Sequence, residues 1–141
     1  MTASPNEFFD RARAFRRAYE TLQSSGRPLE WPKYLLFYHA MELALKAYLI
    51  RQGVSEQDLT KKFSHDMKKL VNAAVSRGLT LPPGSQGMIA GLGGQPPDLV
   101  TVPPHIKPRY PPHSPVYSLG QFQPYMEYLF NAVAKALGLP P

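Results

Sequence analysis

From Lys33 to Gln52 the chain runs without a glycine or a proline, and from Tyr34 to Ile50 it is apolar on nearly every side. Such a segment is a helix, and a helix with no polar face has to be enclosed by others. It is therefore the expected centre of a helical bundle. Trp31-Pro32 opens it, and Gly53 follows its end near Arg51. Leu45 falls in the middle of this helix and is expected deep in the core. A bilayer span needs roughly 20 uninterrupted apolar residues, and His39, Glu42 and Lys46 break this one.

Those three residues stand at spacings of three and four, so they form one stripe. Glu42 precedes Lys46 in the favourable order for an ion pair one helical turn apart. The stripe either lines a polar pocket inside the bundle or faces solvent or a second copy. A metal site is not expected, because the chain has no His-x-x-x-His or Glu-x-x-His pair.

Other helices flank this one. Ser4-Pro5-Asn6-Glu7 is a start signal with a capping serine, a proline at the first turn and a glutamate that completes a capping box. Phe8, Ala12, Phe15, Tyr19 and Leu22 then share one face, with Arg11, Arg13, Arg16 and Arg17 mostly off it, until Gly26 and Pro28. After a connector from Gln52 to Thr60, Phe63, Met67, Leu70, Val71 and Ala74 mark a third helix. It starts either with Ser64 as cap or further back near Asp58, and Gly78 ends it. A last helix carries Phe122, Met126, Leu129, Val133 and Leu137, with Ser118 or Gln123 as cap and Gly138 as stop.

Between the third and last helices the composition changes. Ten of the sixteen prolines and five glycines fall between Leu81 and Pro115. That density excludes a long helix and leaves at most a short turn at Gln86–Leu92. The expected fold is a single all-α domain over residues 1–141. It is an antiparallel up-and-down bundle of four to five helices, with a long Pro/Gly-rich loop, residues 81–117, before the last.

The absence of cysteine removes disulfides, thiolate metal sites and cysteine nucleophiles. Met1–Asp10 lacks the layout of a secretion signal, so a cytoplasmic, membrane-free location is expected. Gly91-Leu92-Gly93-Gly94 lacks the lysine and the preceding strand of a phosphate loop, and no cofactor is expected. The net charge of +6 favours acidic partners such as nucleic acid or nucleotides. Lys61, Lys62, Lys68 and Lys69, with the arginines of the first helix, are either one phosphate-binding face or a solvated surface.

Three blocks carry a resemblance. Tyr38-His39-Ala40-Met41-Glu42-Leu43-Ala44-Leu45-Lys46-Ala47-Tyr48-Leu49 has a Glu-Leu-x-Leu-Lys-Ala core. Ser64-His65-Asp66-Met67-Lys68-Lys69-Leu70 has a His-Asp pair opening a helix. His105-Ile106-Lys107-Pro108-Arg109-Tyr110-Pro111 has an Arg-Tyr-Pro run before the final helix. In this order the blocks resemble the HEPN family, over roughly Phe8 to Leu137. The resemblance implies a helical bundle, often a dimer. It also implies one of several activities: a metal-independent ribonuclease or toxin with an antitoxin, a companion of a nucleotidyltransferase, or a binding module.

The ribonuclease branch uses an arginine followed by a histidine. Here Arg109 and His113 are separated by three residues, a shorter gap than that branch's motif. Arginine holds phosphate through paired hydrogen bonds, and histidine moves protons near neutral pH. The structural alternative has Arg109 anchoring the loop, with His113 exposed. Arg109 pairing instead with His105 or His65 also stays open. The leading expectation is a non-catalytic module that binds nucleotide or RNA, or a nucleotidyltransferase partner, with His65, His105, Tyr110, Glu42 and Lys46 as binding residues. Ribonuclease action by Arg109 and His113, and a ligand-free dimerisation bundle, are the alternatives.

Overall fold

The computed structural model describes residues 4–25, 30–93 and 119–141. Its regular elements are α1 (Pro5–Ser24), α2 (Glu30–Arg51), the one-turn α3 (Glu56–Asp58) running into a π-helical segment (Leu59–Phe63), α4 (Met67–Ser76), α5 (Ser85–Gly93), and a 3-10 turn (Leu119–Phe122) leading into α6 (Gln123–Leu137). Among the described residues there is no strand, so the chain is all-α. No helix among them is long and apolar enough to cross a membrane.

The N-terminus forms as its residues dictate. The Glu7 backbone N–H donates to Ser4 Oγ at 3.1 Å, and the Ser4 N–H donates to Glu7 Oε1 at 3.1 Å, which closes the capping box. At the other end Gly138, at φ 71°, caps α6 in the left-handed conformation that glycine adopts without strain.

α2 is the hub, and α1, α4 and α6 all pack on it. Its buried residues include Phe37, Ala40, Met41, Ala44, Leu45 and Leu49, so the expected central helix and its Leu45 are in place. Ring contacts fix the directions. Tyr19 meets Phe37 with centroids 5.0 Å apart, and Phe15 meets His39 at 5.5 Å, so α1 and α2 run antiparallel. On α1's other side Tyr19 donates to Gln123 Oε1 at 2.9 Å and Arg13 to the Pro140 carbonyl at 2.9 Å, which sets α6 antiparallel to α1.

The inner face of α1 is turned relative to the sequence expectation. Phe9, Ala12 and Tyr19 are fully buried, while Phe8 and Phe15 are only half-buried. Two arginines expected off the face join it. The guanidinium of Arg13 lies 5.0 Å from the Phe9 ring centre, and that of Arg16 lies 4.9 Å from the Phe130 ring centre. Their aliphatic stems cover aromatic surface while the charge reaches the edge.

The third helix differs most from its expected start. Ser64 does not cap it; Asp66 does, accepting the Lys69 N–H on Oδ1 at 3.0 Å. Nor does one continuous helix begin at Asp58. Ser55 caps a short helical leg, which Ser64 breaks at φ 47° and ψ −120°. That leg runs back along α2, so α4 can start beside Tyr38 and end beside Tyr48, in the same direction as α2.

α5 also exceeds the single turn expected at 86–92. It spans Ser85–Gly93 and buries Ile89 and Leu92. Gly87 and Gly91 meet no atom within 4 Å of a virtual Cβ, so they are not there for close packing. Apolar burial at Ile89 and Leu92 outweighs their poor helix propensity. At α6, Gln123 is not the cap but already in the helix, after Phe122; Ser118 lies outside the described residues.

A candidate site at the start of α4

The polar stripe of α2 points inward at the start of α4. Glu42 is 3% exposed, which removes the solvent-facing reading of this residue. Its Oε2 accepts from Lys46 Nζ at 2.8 Å, the expected turn-spaced pair, and lies 2.7 Å from His65 Nδ1. His39 Nδ1 stands 3.6 Å from Oε1, beyond hydrogen-bond length. Among the described residues Oε1 has no hydrogen-bond partner.

The charge state of Glu42 follows from these contacts. Burial is the largest single influence and raises its pKa. The neighbouring His39, Lys46 and His65 side chains, with the Lys46 charge, together outweigh burial and lower the pKa from 4.5 to about 2. Glu42 is therefore a carboxylate at neutral pH and only accepts hydrogen bonds.

His65 reports the other side of this arrangement. Its side chain is 74% exposed, yet two groups of α2 hold the residue. Glu42 takes the ring at Nδ1, and the Tyr38 hydroxyl donates to the His65 carbonyl at 2.6 Å. Burial raises the Tyr38 pKa to about 12, so Tyr38 keeps its donor proton. Ser64, immediately before His65, is the one non-glycine with positive φ among the described residues. Its φ and ψ of 47° and −120° lie outside the left-handed basin and store strain. The preceding π turn closes with the Ser64 N–H on the Leu59 carbonyl at 2.7 Å. Such π turns are frequent at functional sites.

Around His65, Lys61, Lys62, Lys68 and Lys69 are all exposed. Lys62 makes a loose pair with Asp58 at 3.8 Å, and Asp66 spends one carboxylate oxygen on the α4 cap. Two of the α1 arginines, Arg13 and Arg16, are engaged elsewhere, over the Phe9 and Phe130 rings. α1 and α4 pack on α2 rather than on each other, and Arg13 and Arg16 pair with Asp10 and Glu20.

Of the residues singled out from sequence, Glu42, Lys46 and His65 are brought together. His105, Arg109, Tyr110 and His113 lie outside the described residues. Two participants were missed. Tyr38 stands one turn before Glu42 on the same stripe, and that spacing was a usable signal. The strain at Ser64 had none. Among the described residues no group of three or more His, Asp or Glu could hold a metal; the Lys46 ammonium already sits on Oε2.

No family model, no curated protein and no solved structure matches this chain.

Proposed function

We propose that this chain is a HEPN-like helical module that binds RNA or nucleotides through their phosphates without cleaving them. The observation that carries the reading is the exposed run Lys61, Lys62, His65, Lys68 and Lys69, gathered at the turn into α4. The overall charge of +6 works in the same direction. Contacts of this kind give affinity with little base preference. The three sequence blocks that resemble the family support the same class. A homodimer, and a nucleotidyltransferase or antitoxin as companion, belong to this proposal.

The test is titration of a single-stranded RNA pool with the protein at rising salt, with chelator present. Binding should weaken with salt by a log–log slope of about −0.7 per phosphate contacted. Replacing Lys61, Lys62, Lys68 and Lys69 by Glu should abolish most of it. No binding at low salt, or equal binding by the replaced protein, would overturn the proposal. Cleavage of the pool, lost in Arg109→Ala and His113→Ala, would replace it with the ribonuclease reading.

A further inference from the structure

We propose that His65 is a proton-linked phosphate contact: its Nδ1–H is held by buried Glu42, and its outward Nε2 takes up a proton as an RNA or nucleotide phosphate binds. The inference rests on the phosphate-binding reading above and adds to it which side chain senses the ligand and what that binding consumes.

The hydrogen-bond inventory fixes the ring. Glu42 Oε2 is an acceptor that already receives Lys46 Nζ. The 2.7 Å contact with His65 Nδ1 therefore requires Nδ1 to be the donor. In the neutral ring that proton is the single one present, so Nε2 carries a bare lone pair. A phosphate oxygen is also an acceptor, so the neutral ring gives it no hydrogen bond. When Nε2 gains a proton, the ring donates in both directions, to Glu42 on one side and to the phosphate on the other. Hydrogen bonds with charge on both partners are short and strong. Phosphate binding and proton binding at His65 then favour each other, and that coupling is reciprocal.

The ring is prepared for this role. An exposed histidine ordinarily samples several rotamers. Here the 74% exposed side chain has its Nδ1 tied to a buried carboxylate and its carbonyl tied to Tyr38. The backbone at Ser64, the residue before His65, is strained at positive φ. The charged and titratable groups that contact His65 or Glu42, or stand within four residues of His65 along the chain, come from three elements. Glu42, Lys46, His39 and Tyr38 lie on α2, Lys61 and Lys62 on the π segment, and Lys68 and Lys69 on α4, with Asp66 between. A phosphate bound at Nε2 places a negative charge beside the ring and favours its protonated form.

The experiment is calorimetric titration of the full chain with oligouridylate RNA at low salt and pH 7.5. It is done in two non-phosphate buffers that differ in ionisation enthalpy. The difference in apparent heat reads the protons taken up. The wild type should take up a fraction of a proton per bound site, and its affinity should fall as pH rises from 6 to 8, by roughly tenfold. His65→Gln, at an exposed position, should bind with no uptake and no pH dependence. RNA binding with zero uptake in the wild type, or with equal uptake in His65→Gln, would overturn the inference and leave the lysine surface standing. No RNA binding by the wild type would overturn both.

Discussion

The two seams that meet on α2 are built from different materials. Toward α1, and from α1 on to α6, the seam is aromatic: Tyr19 on Phe37, Phe9 on Phe130 at 5.5 Å, and Arg16 over Phe130. Toward α4, which buries Met67, Leu70, Val71 and Ala74 in the core, directional polar contacts are added: Glu42 with Lys46 and His65, Tyr38 on the His65 carbonyl, and Tyr48 on the Arg77 carbonyl at 2.9 Å. Burial of rings is non-directional and tolerates small rotations. The turned face of α1 is an instance: Phe9 replaced Phe8 inside without loss of the helix. Hydrogen bonds to a buried carboxylate do not tolerate such shifts. The aromatic seam therefore tolerates rotation of α1, whereas the polar contacts set where α4 begins and which way His65 looks.

The largest effects probe this contrast directly. Glu42→Ala leaves Lys46, whose side chain is 12% exposed, without its partner. Urea unfolding should record a loss of about 3–5 kcal/mol. Phe130→Ala should cost about as much, ~3–5 kcal/mol, through a cavity. The seams separate in the rescue. Replacing Glu42 and Lys46 together by Met should restore most of the stability lost in Glu42→Ala, because buried ion pairs repay little beyond their desolvation. If the double replacement is as unstable as the single one, the polar contacts contribute more than placement.

Acid gives the next effect. The folded pKa of Glu42 lies near 2, below its ordinary 4.5, so the native state holds this proton less tightly than the unfolded chain. Its contribution is whole above pH 4.5 and is lost as pH falls toward 2, on the order of 3 kcal/mol in all. Chemical unfolding across that window should show the loss in the wild type. The loss should shrink in the double Met protein.

Smaller changes act at the turn itself. Asp66→Ala removes the α4 cap and should cost about 1 kcal/mol by the same unfolding assay. Ser64→Gly should raise stability slightly, by less than about 1 kcal/mol, because glycine relieves the positive φ against a small loss in chain entropy. A clear destabilisation by Ser64→Gly would mean that the turn is not strained.

How much was legible in the sequence follows the same divide. Long helices, the capping box, the Glu42–Lys46 spacing and the Gly138 stop are local, and local chemistry decides them. The all-α class came from the same signals. The return leg through Leu59–Phe63 was not legible, because a π turn has the composition of the α-helix it interrupts. The α5 helix was hidden by Gly87 and Gly91, whose propensity tertiary burial overrides. Glu42 and His65 are 23 residues apart. No periodicity links them; only the path of the return leg brings them together. Asp66 displaced Ser64 as cap because Ser64 is committed to the turn that aims its neighbour.

The central claim is that a buried carboxylate fixes His65 with its proton on Nδ1 and its lone pair outward. Two-bond nitrogen–proton correlation of the histidine rings, in 15N-labelled protein near pH 8, measures this tautomer directly. The account predicts that His65 shows a protonated Nδ1 and a bare Nε2 in the wild type, and that Glu42→Gln moves the ring toward the mixture of a free imidazole. A wild-type His65 with its proton on Nε2, or a tautomer indifferent to Glu42→Gln, would contradict it.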